Sequence, residues 1–253
     1  MWALGAARTL AGASVRPLGL NVRAVNCVRA YSACAAHRGD HGAVQLVYEL
    51  AAAGNLKKAM EAMDLLTGED AGLISGGADS QPGGPVCYHH IYSDSQLSMS
   101  VFVLPPGACI PLHDHPGMTV LSKLLFGKLR VTSFDMPSDA QSSQSWPFGI
   151  GGDRRLICGP GLQREVSAPC APLRLDAVQG NIHSFEALEH TAIFDVLTPP
   201  YDNASGRSCH YYEVVDAQKG SDAAQHIELL EVPWPDWLDV VNRKYTGQRV
   251  TPS

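Results

Sequence analysis

Residues 106–117 read PGACIPLHDHPG, and this stretch constrains the fold more than any other. His113 and His115 flank one aspartate, and prolines and glycines bracket the group. Side chains alternate between the faces of a strand, so residues i and i+2 point the same way. A strand therefore aims both imidazoles at one point, whereas a helix would splay them by roughly 200°. Such a pair needs a third ligand to hold a metal. His183 in VQGNIHSF is the candidate: it follows a turn signal, Gly180-Asn181, and precedes an apolar strand. Asp114 is expected to face away from the metal. His89 and His90 are adjacent and face opposite sides of a strand, and His190 and His226 lack a partner pattern.

The surrounding texture is that of a β protein. From residue 86 onward, short segments rich in Val, Ile, Leu, Phe and Tyr alternate with Gly/Pro turns: CYHHIYS, LSMSVFVL, TVLSKLLFG, KLRVTSFD, LRLDAV, HTAIFDVLT and CHYYEVV. Strands at this spacing predict a mainly β sandwich or barrel. Residues 137–162 are rich in Ser, Gln and Gly and read as a long excursion beside it. The tail PWPDWLDVVNRKYTG predicts a turn and a short helix, with Trp234 and Trp237 covering the barrel.

Residues 40–85 read as a helical prefix and linker. Val44, Val47, Leu50 and Ala51 recur at helical spacing, and a second helix carries Leu56, Met60, Met63 and Leu66. Gly54-Asn55 ends one and caps the next. Residues 67–85, rich in Gly, Asp, Ser and Pro, form the loop.

The first 39 residues differ. They carry Arg8, Arg16, Arg23, Arg29 and Arg38, many Ala and Ser, and no acid before Asp40. That composition suits a mitochondrial presequence, with RAYS placing cleavage after Tyr31, and the expected location is mitochondrial and/or cytosolic. The net charge of -6, with no basic block after this leader, disfavours nucleic acid. No apolar run approaches the roughly 18–20 residues of a membrane span. The seven cysteines are scattered without Cys-x-x-Cys, which suits a reducing compartment better than a disulfide framework. An acidic chain with a self-covering barrel reads as a monomer.

The histidine spacing resembles the cupin superfamily, a double-stranded β-helix barrel. Gly107 precedes His113 by the usual five intervening residues, Gly127 stands at the closing glycine of the first motif, and Gly180 lies three residues before His183. Two positions depart from the pattern: Val120 occupies the glutamate position and Val178 the proline position. Without the carboxylate the ligand set is three neutral imidazoles, which favours anionic incoming ligands such as thiolates. Imidazole suits Fe, Zn, Cu and Ni, so the ligands alone do not choose the metal.

PLHDHPGMTVLSKLLFGKLRVTSFD, GNIHSFEA, AIFDVLTPPYD and GRSCHYYEV together resemble the family of the cysteamine dioxygenases and plant cysteine oxidases, from about residue 43 to the C-terminus. The resemblance implies a thiol dioxygenase domain over 86–253, with one Fe(II) held by His113, His115 and His183. It implies addition of both atoms of O2 to a thiol, giving a sulfinic acid. The implied substrates share HS-CH2-CH(R)-NH2: cysteamine, giving hypotaurine, or an N-terminal cysteine of a protein, whose oxidation marks oxygen-dependent degradation. It places Asp195 near the iron and the substrate amine, and Cys209 and Tyr211 at a thioether cross-link. Tyr201 and Asp202 either line the mouth or shape the Pro-Pro turn.

Two other functions fit three histidines. A zinc hydrolase would use Asp195 as its base and leave the Cys–Tyr pair without a role. A non-catalytic, ligand-binding cupin would have no need to keep all three.

Overall fold

The β-branched and aromatic runs pair into two sheets that curl around one interior. The structure is a computed structural model that describes residues 42–74, 77, 80–137, 154–218 and 226–252. The Arg-rich leader, with the cleavage expected after Tyr31, lies outside the described residues. Thirteen strands run through the described part: β1 Val86–Ser93, β2 Ser98–Leu104, β3 Cys109–His113, β4 Thr119–Phe126, β5 Lys128–Phe134, β6 Arg155–Cys158, β7 Leu162–Ser167, β8 Leu173–Leu175, β9 Ile182–Ala187, β10 Thr191–Thr198, β11 Tyr211–Gln218, β12 His226–Val232 and β13 Val240–Arg243. One sheet has the order β13-β1-β2-β10-β4-β8 and the other β6-β12-β11-β3-β9-β5-β7. Neighbours are antiparallel except β13, which runs parallel to β1. This is the cupin double-stranded β-helix.

The first sheet is covered on both faces, which explains the unbroken apolar run of β10. Phe194 and Val196 point outward to the helices, packing with Met99, Val101 and Leu121 against Val44, Val47, Ala59 and Met63. Ile193 points inward, packing with Leu104 and Leu124 against Leu129, Val131 and Phe185 of the second sheet. Each fully buried Val or Met on the helices contributes about 1.5–3 kcal/mol of transfer free energy, against the entropy of ordering it. Asp195 alternates onto the inner face between Ile193 and Leu197, a carboxylate among apolar neighbours.

The helices form where the apolar spacing places them. Helix α1 spans Ala43–Ala52 and α2 spans Leu56–Met63. Gly54, at φ 71°, takes the left-handed conformation that ends α1. The Asn55 side chain then accepts from Lys58 N at 3.3 Å and caps α2.

Two expectations are corrected. The tail forms no helix: after a turn at Pro235, Val240–Arg243 add strand β13 to the edge of the first sheet. Val240 and Val241 are β-branched, and an open edge beside β1 offers them hydrogen-bonding partners that outweigh an amphipathic pattern only one turn long. Within the supposed excursion over 137–162, Arg155–Cys158 pair with β12. Leu162 already begins β7 on β5. Residues 138–153 lie outside the described residues.

Candidate metal centre

Register brings the site together. His113 on β3 is directly opposite His183 on β9 and Tyr211 on β11, so the three form a row across the second sheet. On the facing sheet Asp195 stands between Ser100 on β2 and Ser122 on β4. The two rows face each other across a cavity of about 270 Å³. Its lining includes all three histidines, Asp195, Tyr201, Cys209, Tyr211 and Trp234. Val120, at the position of the missing glutamate, lines it as an apolar wall.

The route by which His115 arrives differs from the one its spacing suggested. β3 ends at His113, and His115 lies in the following loop, so strand alternation does not aim it. Three long-range contacts do. Its backbone N donates to Asn181 Oδ1 at 3.0 Å, and Asn181 Nδ2 donates back to the His115 carbonyl at 2.8 Å. The Tyr201 hydroxyl lies 2.7 Å from His115 Nδ1 and donates to the Asp114 carbonyl at 2.7 Å. A hydroxyl has one proton, and the carbonyl can only accept. The His115 Nδ1 contact must therefore be carried by a proton on Nδ1. His113 is fixed the same way, with Nδ1 2.9 Å from the Pro111 carbonyl. In both rings the free lone pair is left on Nε2, the tautomer a metal ligand needs.

The three rings crowd together with centroids 4.7–4.9 Å apart. His115 Nε2 and His183 Nε2 are 3.3 Å apart, and one nitrogen from each histidine falls within 4.8 Å of the others. Burial first, and then mutual repulsion, hold His115 and His183 well below the usual histidine range; burial lowers His113 too. Three neutral, buried donors converging on one point fit a divalent cation. Among the described residues no other group of His, Cys, Asp or Glu does so.

Asp195 is buried, and its Oδ1 has no hydrogen-bond partner. Burial pushes its carboxyl up to about 7, against the Ser122 hydroxyl, which favours the charged form. A lone buried carboxyl oxygen facing a cavity suits an incoming donor such as an amine. Cys209 and Tyr211 share the cavity and are hydrogen-bonded; Cys209 precedes β11, so only Tyr211 is held by the strand. Burial raises the Cys209 thiol to about 11. Trp234 packs edge-on against Tyr211 with centroids 5.3 Å apart, at the mouth. Asp202 does not reach the cavity: it accepts from Ala204 N at 3.0 Å and caps the turn Asn203–Ser205.

Sequence reasoning missed the residues that hold His115. Asn181 was visible only as half of a turn signal. Tyr201 was named for the mouth or the turn, not as a partner of a ligand. Asp114 does face away, as expected, but into a buried network rather than solvent: it accepts from His210 N at 2.8 Å and Tyr212 OH at 2.9 Å.

The sequence model of the family described as PCO_ADO matches residues 56–250. A 2-aminoethanethiol dioxygenase from Homo sapiens is 33% identical over 78% of this chain and 82% of that protein. Plant cysteine oxidase 1 from Arabidopsis thaliana is 35% identical over 77% of this chain and 71% of its own. Among solved structures, an RmlC-like cupin from Desulfovibrio desulfuricans covers 50% of this chain and 93% of its own, at 12% identity and a TM-score of 0.32.

Proposed function

The chain belongs to the PCO_ADO family, and from that premise we propose that it is a thiol dioxygenase using one Fe(II) held by His113, His115 and His183. The observation that carries the proposal is the donor set: three buried imidazoles, two of them with Nε2 left free by a bond at Nδ1, converging beside one buried carboxylate. Iron(II), when bound there, supplies the redox chemistry that lets O2 react with a thiolate. The net change is R-SH + O2 → R-SO2H, two oxidation steps at sulfur.

The chain's own residues select the substrate. Asp195 accepts a hydrogen bond from a primary amine and orients a thiol two carbons away. Tyr201 and Asn181 keep His115 in one tautomer and position. Trp234, Tyr211, Leu197 and Val120 wall the cavity with apolar surface and limit water. Both cysteamine and a protein N-terminal cysteine present HS-CH2-CH(R)-NH2, and both fit this pairing. Free cysteine adds a carboxylate, and among the described residues no Lys or Arg lines the cavity to meet it. Burying that charge unpaired is costly, so free cysteine is the poor substrate of the three. Cys209 and Tyr211 share the cavity and a hydrogen bond, which supports a thioether between them; its formation would remove two electrons and two protons from the pair, taken up by O2 as H2O2.

The test is O2 uptake by protein loaded with iron or with zinc, offered cysteamine, a peptide beginning with Cys, and free cysteine. Uptake with iron only, and with the first two substrates far above the third, is the expected result. Equal turnover of free cysteine would refute the selection against its carboxylate by a cavity without a cation. Thiol-independent hydrolysis by the zinc form would favour the hydrolase reading.

A further inference from the structure

We propose that the groove beside the cavity mouth, rimmed by Trp237 and Asp239, receives the residues that follow the cysteine of a peptide substrate and selects a lysine or arginine among them. The proposal rests on the thiol-dioxygenase reading and adds to it a rule for which N-terminal cysteines are taken.

The groove measures about 370 Å³, and Gly83, Gly84, Pro106, Gly107, Trp237 and Asp239 are among its lining. Val86 and Leu238 line both the groove and the metal cavity, so a step of two side chains separates them. Cysteamine ends at its amine and leaves the groove empty. An N-terminal cysteine carries its peptide carbonyl on the carbon that bears the amine. With the thiol at the histidines and the amine at Asp195, the rest of its chain has to leave the cavity, and the groove lies across that step. Main chain is open to it there: at Gly83 and Gly107 no atom beyond the chain neighbours lies within 4 Å of where a Cβ would stand. The rim is held in place from both sides. Val86 N donates to the Asp239 carbonyl at 2.9 Å, and Leu238 N donates to the Pro235 carbonyl at 3.0 Å.

The rim's chemistry names the occupant. Trp234 lines the cavity and Trp237 the groove, and the two indoles are 53% and 60% exposed. Pro233 and Pro235 stiffen the segment that carries them, so binding orders little that is not already ordered. Asp236 and Asp239 are exposed on either side of Trp237 in the chain. Among the described residues neither stands in an ion pair, and no Lys or Arg lines the groove. An indole face with unpaired carboxylates beside it suits an ammonium or a guanidinium. A glutamate or aspartate in the same place would meet like charge. The groove therefore complements a basic chain in shape and in charge, and it begins where the metal cavity ends.

The experiment uses the full chain, loaded with iron for turnover and with zinc for binding. The substrates are peptides of equal length that begin with Cys and carry a single Lys, Gln or Glu at the second, third or fourth position. Binding is read from the anisotropy of a dye at their C-terminus. The expected result at low salt is kcat/KM about tenfold higher for Lys than for Glu at one or more of these positions, with affinities in the same order. That ratio should shrink by more than about half near 1 M salt. Asp239→Asn should lower it to about threefold or less, Asp239→Lys should invert it, and Trp237→Ala should weaken the Lys peptides by roughly fivefold. Lys and Glu peptides within about twofold of each other in the parent would overturn the proposal. So would a preference that persists in Asp239→Lys or at high salt. Where a variant has also lost cysteamine turnover, the affinities of its zinc-loaded form decide by the same ratios. If neither Asp239 variant folds, the salt dependence of the parent's ratio decides. A parent that oxidises no thiol yet binds Lys peptides more tightly than Glu peptides overturns the proposed reaction and leaves the groove standing.

Discussion

Asp195 carries a sharp pH signature. Its carboxyl titrates near 7 in the folded chain because burial disfavours the charge, and near its ordinary value of about 4 when unfolded. The folded state therefore binds its proton more tightly, and the contribution of this carboxyl to metal-free stability falls as pH rises from about 4 to about 7, then levels. Asp195→Asn removes that slope. Denaturant unfolding of the metal-free proteins should find the two equally stable near pH 4 and the Asn variant ahead by up to roughly 4 kcal/mol near pH 8. A difference independent of pH would contradict this. Residue by residue, the ligands were legible because His-x-His and Gly-x-x-His are local patterns. Asn181, Tyr201 and the partners of Asp114 were not, because their contacts join residues 66–98 positions apart. Nothing in a local window marks a tyrosine as the partner of a distant imidazole.

At the scale of elements, β4 is joined to the end of α2 by a half-buried ion pair. Lys123 Nζ is 2.8 Å from Asp64 Oδ1 and also donates to the Cys170 carbonyl; the lysine side chain is 5% exposed and the aspartate 50%. The asymmetry sets the expectation. Asp64→Ala strands a buried ammonium and should cost about 2–4 kcal/mol by denaturant unfolding, while Lys123→Met frees a half-exposed carboxylate and should cost less than about 1 kcal/mol. Equal losses would mean that Lys123 acts by packing alone. Elements with regular alternation or a cap signal were readable: β1, β2, β4, β5 and both helices. β6, β7 and β13 were not, since such short sequences become strands only when a long-range neighbour offers its edge. His115 belongs to the same class, a ligand placed by tertiary contacts just past the end of a strand.

On the scale of the whole molecule, the C-terminal tail straps the helices to the barrel. Gln248 Oε1 accepts from Val44 N at 3.0 Å and its Nε2 donates to Asp70 at 3.1 Å; Gln45 and Thr251 bond in both directions. Gly247 packs so closely that a Cβ there would lie 2.4 Å from the Ala71 backbone. Gly247→Ala should therefore lower the melting temperature by several degrees, about 1–3 kcal/mol, with Co(II) affinity unchanged because Gly247 does not line the cavity that holds the ligands. Loss of metal binding in that variant would show the two regions to be coupled. Cupin architecture was legible at this scale from strand spacing together with the two glycine–histidine motifs. The tail's role was not, because it depends on the close approach of Gly247 to the Ala71 backbone, far away in sequence.

The most direct test of the whole account is the mass of a Cys-initiated peptide after incubation with Fe(II)-loaded protein in air. A gain of two oxygen atoms, about 32 Da, that is absent with His183→Ala is the predicted result. No gain with fully iron-loaded parent protein, or an equal gain with His183→Ala, would contradict the assignment of the three histidines to a dioxygenase centre.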